Sequence, residues 1–280
     1  ILLISLLLAV PSVRGESNSG NTSIHPLTGY EFAFPRDFYA HNRYQVEWWY
    51  FTGNLKDTAG REYGYQCSFF RASLEGMRIL KQYRKSPSQW SDDQIYFAHM
   101  TVADLDGGTF HFYERINRQG LGMAGAAEDK LEVWNENWKL TGDGKARHLT
   151  AKEEGTGFDL KLTPLKGPVI HGAGEDRPKW DIPEKAPNYY SFTRLKTEGT
   201  VTVNGQTLNV TGTSWMDHVF AERALVPKQA GWDWFSLQLD NNTEIMLLMI
   251  RMQDGSYDPR SGGTIVHADG THAHLASEQY

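Results

Sequence analysis

Residues 212–220 read GTSWMDHVF, with an acid and an imidazole side by side and an indole two places before the acid. In an extended chain alternate side chains share a face. Trp215 and Asp217 therefore look one way and Met216 and His218 the other. The neighbours Asp217 and His218 form no simple pair unless a bulge re-aims one of them. An ionised carboxylate beside an indole in apolar surroundings is costly, and desolvation keeps its proton on. A neutral carboxylic acid in such a place is a competent general acid, and an indole face stabilises a developing cation. That chemistry suits protonation of an alkene or carbonyl in a lipophilic substrate. The structural alternative is that Asp217 ends the strand, caps a turn or pairs with Arg223 or Arg251.

Other residues repeat the theme. In 231–235 (GWDWF), Trp232 and Trp234 share a face and Asp233 opposes them, which fits either a pocket wall or an ordinary core. Glu47, Trp49 and Phe51 share another face, so Glu47 is either a pocket acid or the ion-pair partner of Arg71. His99 and His111 fall in strands expected to pair, as barrel-interior groups or pocket polars, and His171 lies in a proline-rich stretch. His267, His272 and His274 surround a glycine turn. His272 and His274 share a strand face at a spacing that can bind zinc, but surface histidines are the simpler account, so no metal site is expected. There is no Gly-x-Ser-x-Gly elbow, phosphate loop, dinucleotide fingerprint or His-Glu-x-x-His. These absences weigh against a serine hydrolase, a nucleotide enzyme and a typical zinc protease, and no cofactor is expected.

The elements that must position these residues read as β-strands. Strand patterns occur at 46–55 (VEWWYFTGNL), 63–72, 95–104, 109–115, 131–140, 158–163, 191–203, 206–214, 231–240 and 243–252. Asp106-Gly107-Gly108, Asn204-Gly205 and Asn241-Asn242 supply hairpin turns. Helices are expected to be short, the best candidate being 74–85, with a turn at 90–94. Five of the eleven prolines and three glycines fall in 164–190, a long loop or interdomain crossing. Its end marks an expected boundary between an N-terminal β-barrel domain at 16–190 and a C-terminal β domain at 191–280. The hairpin opened by Trp48-Trp49-Tyr50 is echoed by the one opened by Trp232-Asp233-Trp234, which suggests related halves or simply two aromatic hairpins.

The chain has 280 residues, 12% of them aromatic, and nine are Trp, a residue that concentrates in cores and ligand pockets. A net charge of −6 argues against a nucleic-acid partner. Residues 1–10 (ILLISLLLAV) have the length of a signal-peptide core and are too short to span a bilayer. With a cleavage position after Gly15, they predict an exported protein, periplasmic or extracellular, whose mature chain begins near Glu16. The missing initiator Met and basic region point to a truncated start. A dangling edge strand near residue 280 points to a truncated end. The single Cys67 forbids an intrachain disulfide and reads as a small buried hydrophobe.

The stretches 46–55, 63–71 (YGYQCSFFR), 95–104, 212–220 and 231–251 (GWDWFSLQLDNNTEIMLLMIR), in this order, resemble the AttH-like / carotenoid 1,2-hydratase family. That group includes hydroxyneurosporene synthase, kievitone hydratases, lipocalin-like pericyclases and secreted proteins described as predicted hydrolases. The resemblance covers roughly residues 28 to 280. It implies two lipocalin-like, calycin-type antiparallel barrels, the second incomplete, and a hydrophobic ligand. It also implies Asp217 as proton donor for addition of water to a double bond without a redox cofactor. Trp215 takes the position where the hydratases have Tyr, and Val219-Phe220-Ala221 replaces a more polar run, so the surroundings here are more apolar. The expected function is binding of an isoprenoid, lipid or polyketide with acid catalysis such as alkene hydration or isomerisation. Asp217 would be the acid, with His218 or Glu47 orienting it or activating water. Trp215, Trp232, Trp234, Trp49 and His99 would line the site. The alternatives are a non-catalytic hydrophobic carrier and, on the C-terminal histidines alone, a metal-dependent hydrolase.

Overall fold

Strict alternation of large apolar and smaller or polar residues makes 46–57 a strand with two different faces, and it becomes β1 (Val46–Asp57), buried at every second position. The computed structural model of the chain describes residues 30–73, 94–171, 187–225 and 227–279. The expected signal segment (1–15), the helix at 74–85 and residues 90–93 of the expected turn lie outside them, whereas Gln94 opens a strand.

β1 is followed by β2 (Glu62–Ser73), β3 (Gln94–Asp104), β4 (Thr109–Arg118), β5 (Ala124–Ala126), β6 (Leu131–Asn135) and β7 (Trp138–Gly142). Next come β8 (Arg147–Glu153), β9 (Thr156–Pro164), β10 (Val169–Ile170), β11 (Asn188–Val203) and β12 (Gln206–Ala221). These twelve form one antiparallel sheet in the order β4-β3-β2-β1-β12-β11-β9-β8-β7-β6-β5, with β10 added to β11, and it curls into a nearly closed barrel. A second sheet contains β13 (Gln229–Gln238), β14 (Glu244–Met252), β15 (Gly262–Val266) and β16 (His272–Ala276), paired in sequence order. No helix among the described residues is long and apolar enough to cross a membrane.

The all-β reading holds, with adjustments that have physical causes. The strand expected over 131–140 is two, because Glu136 takes a left-handed turn conformation (φ 57°) that reverses the chain into β7. The strand expected to stop at residue 214 continues to Ala221, so the whole of GTSWMDHVF lies on β12. The change of sheet falls after Ala221 rather than at residue 190. β11 and β12 complete the large sheet by bridging β1 and β9, a pairing between distant segments that local pattern does not reveal.

The core lines the concave side of the large sheet. Trp49, Phe51, Leu55, Tyr65, Cys67, Met100, Leu140, Leu160, Tyr190, Phe192 and Met216 all lie within it, each at most 3% exposed. Cys67 is the small buried hydrophobe expected, and burial pushes its thiol pKa up. The segment before β1, including the 3-10 turn Arg36–Phe38, lays Phe34 and Phe38 against Tyr190, and Phe32 against Phe220.

The second sheet lies on the convex side. The two hairpins that echo each other in sequence meet face to face there, with Trp232 stacked parallel to Trp48 (6.4 Å) and Trp234 edge-on to Tyr50 (5.4 Å). A buried carboxylate locks this docking: Glu244 accepts from Arg194 Nε (2.6 Å), Lys166 Nζ (2.7 Å) and Thr193 Oγ1 (3.0 Å). Thr193 and Arg194 sit in a bulge between Phe192 and Leu195, which aims them out of the barrel toward Glu244. On β12, a Cβ at Gly212 would run into the backbone carbonyl of Asn54 on β1, which cannot turn aside. Gly212→Ala is therefore expected to cost about 1–3 kcal/mol of stability by overpacking, read from the midpoint of urea unfolding.

Candidate active site

One register row crosses the convex face of the large sheet. Ser191 on β11 opposes Asp217 on β12, which opposes Tyr50 on β1, then Ser68 on β2, His99 on β3 and Glu114 on β4. This polar row is walled by aromatics: Trp48 and Phe70 on one side, Trp215 and Phe112 on the other, with Trp232 and Trp234 facing it from β13. Trp215 and Trp234 meet edge to face at 6.1 Å.

Asp217 is 5% exposed, and no cation pairs with it among the described residues. Arg251 instead pairs with Asp233, on the far side of β13. Three donors converge on one carboxyl oxygen, Oδ1: Trp215 Nε1 (2.8 Å), the Tyr189 hydroxyl (3.0 Å) and the Ser191 hydroxyl at very short range. Each hydroxyl is itself held by a donor behind it. Trp234 Nε1 donates to the Tyr189 oxygen (3.1 Å), and His171 Nε2 lies 2.7 Å from Ser191 Oγ. With its one hydrogen committed to Asp217, Ser191 must accept from His171. His171 then carries its proton on Nε2, and Nδ1 accepts from the Thr264 hydroxyl at 2.9 Å. Burial drives the His171 pKa down to about 3, so the ring is neutral and can play both parts.

With Oδ1 saturated by donors, the proton of a neutral Asp217 resides on Oδ2, and that oxygen is the acid. Burial raises its pKa to about 6, against the three hydrogen bonds that pull it down. The carboxyl is thus protonated in mildly acidic solution and ionised above it. The titratable groups facing it are Tyr50 and Tyr189, both pushed up by burial and by the Asp217 charge, and neutral His171. Ser191→Ala removes one of the bonds favouring the ionised form, and one such bond moves a carboxyl pKa by about one pH unit. The Asp217 carboxyl should then titrate above about 6, seen as a displaced 13C carboxyl resonance in a difference spectrum against Asp217→Asn.

The structure brings Asp217, Trp215, Trp232 and Trp234 together and places His99 further along the same row, bonded to Glu114 (3.0 Å) and flanked by Phe70 and Phe112. It does not bring His218, Glu47 or Trp49 to that face. Alternation turns all three into the barrel, so neither His218 nor Glu47 can orient Asp217 or activate water beside it. There they form an ion cluster. Glu47 accepts from His41 Nδ1 (2.8 Å), His218 Nε2 (2.9 Å), Arg71 Nε (3.2 Å) and the His41 backbone N–H (2.9 Å). His41 Nε2 reaches Asp37 (3.1 Å), and the Tyr190 hydroxyl meets His218 Nδ1 (2.9 Å). Burial alone would raise Glu47, but the hydrogen bonds from His218 and His41 and the charge on His41 hold it far below the usual carboxylate range. His41 is raised, its two carboxylate partners outweighing burial, whereas His218 is lowered by burial despite Glu47.

His41, Glu47 and His218 are the one group among the described residues whose potential ligand atoms lie within 4.8 Å of one another. Every one of their ring nitrogens already has a hydrogen-bond partner, and Arg71 occupies the second Glu47 oxygen. This is the chemistry of a closed ion cluster rather than of a metal centre. The C-terminal histidines do not converge: His272 and His274 share a face of β16, while His267 sits in the preceding turn.

Sequence reasoning missed Tyr189, Ser191, Tyr50 and Ser68. Their place beside Asp217 follows from the pairing of β12 with β1 and β11, which brings together segments far apart in the chain. His171 was singled out by its loop, but its partner was not visible.

A curved antiparallel barrel carrying a second aromatic sheet, with a protonatable acid between them, defines a lipocalin-like protein with an intersheet site. The AttH-like family profile matches residues 25–280, and the chain belongs to that family. Among solved structures, a protein of AttH type from Nitrosomonas europaea superposes with a TM-score of 0.77 at 28% identity, over 91% of this chain and 75% of that one. Kievitone hydratase from Nectria haematococca gives 0.62 at 14% identity, over 93% and 71%. CghA, solved with Sch210972, gives 0.53 at 13% identity, over 89% and 66%. The last two show a shared fold. No protein among the curated sequences compared matches significantly.

Proposed function

We propose that the protein is an exported, cofactor-free acid catalyst that binds a lipophilic alkene, of isoprenoid, lipid or polyketide type, and hydrates or isomerises it. The observation that supports this most directly is the Asp217 carboxyl, buried among indoles with all its donors on one oxygen. In the reaction, the Oδ2 proton adds to an alkene carbon and leaves a cation on its neighbour. Trp215 and Trp234 stabilise that charge. In hydration, water adds to the cation and returns a proton to the Asp217 carboxylate. In isomerisation, the carboxylate takes a proton from an adjacent carbon. The same group is acid and base, so no help from the far face of β12 is required. Ser68 Oγ, buried on the same row without a hydrogen-bond partner among the described residues, is available to a polar group of the substrate. The hydratase named among the structural neighbours is compatible with this chemistry.

The acid form is the active form, so the rate is expected to be highest below about pH 6 and to fall as pH rises through that value. The direct test is incubation with lipophilic alkenes in deuterated water. Deuterium on carbon, or a gain of one water in mass, supports catalysis. If ligand is bound with no exchange at any pH, the protein is a hydrophobic carrier and Asp217 a structural group.

A further inference from the structure

Two arginines among the described residues are buried in the barrel, and the fold treats them differently. Arg71 spends its guanidinium on Glu47, on Gln94 and on the carbonyls of His41 and Tyr44. Arg147, on the same face of β8 as the core residues Leu149 and Ala151, is 1% exposed, and none of Nε, Nη1 and Nη2 has a hydrogen-bond partner among the described residues. Its guanidinium lies 3.9 Å from the Phe192 ring centroid and 4.9 Å from that of Phe38. The carboxylate acting on it through space, Asp143, is tied to the backbone N–H groups of Lys145 and Ala146 in the turn before β8.

Burial lowers the Arg147 pKa only to about 10, so the side chain stays charged at neutral pH. Two ring faces contribute about 0.5–2 kcal/mol each, whereas an unpaired buried charge costs several kcal/mol. An acceptor that none of the described residues supplies is therefore required. The edge of a guanidinium is a planar fork that matches a carboxylate bidentately. Phe38, Phe192 and Tyr190 around it suit an apolar group attached to that carboxylate. We propose that Arg147 anchors a carboxylate-bearing ligand inside the barrel, at a site separate from Asp217 on the opposite face of the sheet.

The test is thermal unfolding and direct titration of the full chain with acetate, sub-micellar dodecanoate and 1-dodecanol. Dodecanoate should raise the wild-type Tm and dodecanol should not, and Arg147→Met should bind dodecanoate at least about tenfold more weakly, the loss of a charged hydrogen-bonded pair. An equal shift with acetate supports the same anchor and identifies its ligand as a small free anion. An equal shift with dodecanol, an unchanged shift in Arg147→Met, or no carboxylate-dependent shift in the wild type overturns the proposal and leaves the guanidinium satisfied by water. Should Arg147→Met fail to fold, Arg147→Lys keeps the charge without the fork. Weakened dodecanoate binding in that variant supports the anchor, and unchanged binding overturns it.

Discussion

Asp217→Asn is expected to lower turnover of a lipophilic alkene about 100- to 10,000-fold, the range set by loss of a general acid, with ligand affinity and fold intact. The substitution is chosen for its shape. The side-chain amide oxygen that it introduces can still accept from Trp215, Tyr189 and Ser191, the three donors that now meet on Oδ1. What disappears is the acidic proton on the other oxygen. A matched circular dichroism spectrum and Tm would show that the sheet interface has survived, so a lost rate belongs to the chemistry. A variant that turns over as fast as the wild type would remove Asp217 from the mechanism and leave the carrier reading standing. The pH profile gives an independent check, because the alkaline fall near pH 6 must vanish with the carboxyl that causes it.

Glu47→Gln is expected to be the most damaging single change to stability, at about 3–5 kcal/mol, the cost of removing one partner from a buried ion pair. Arg71, 1% exposed, would lose its carboxylate, and His41 would lose one of its two. Urea unfolding measures the loss. A value under about 1 kcal/mol, the weight of an exposed ion pair, would contradict the role given to this cluster. The variant should also change the acid response. Asp37 and Glu47 have folded pKa values below their ordinary 3.8 and 4.5, so each stabilises the fold above those values and loses that contribution as pH falls through the folded one. His218, held neutral, acts in the same direction, its contribution shrinking as pH falls below 6.5. His41, with a raised pKa, acts oppositely: its contribution is complete below 6.5 and is lost as pH rises through the higher folded value. Wild-type stability should therefore fall on acidification, and Glu47→Gln should flatten that fall.

Much was legible from the chain alone because the relevant signals are local. The alternation in 46–57 and 95–104 and the Asp-Gly-Gly and Asn-Gly turns specify strands and hairpins within a few residues of themselves. Alternation also separated Trp215 and Asp217 from Met216 and His218, and the structure keeps that separation. It could not say which of the two faces would be the barrel interior. The assignment of Asp217 and Glu47 to one site therefore failed, since the two face opposite sides of the sheet.

The sequence by itself determined the all-β class, the family and the acid–indole pair on β12, because each depends on residues that are neighbours in the chain. Only the tertiary structure decided that Asp217 meets Ser191 and Tyr189 with Trp234 behind Tyr189, that Glu47 closes an ion cluster with His41, His218 and Arg71, and that Arg147 finds no acceptor among the described residues. Those outcomes rest on the register of β1, β11 and β12 and on a second sheet docking against the first. Such pairings join distant parts of the chain, and a shift of one residue in any of them would exchange the two faces.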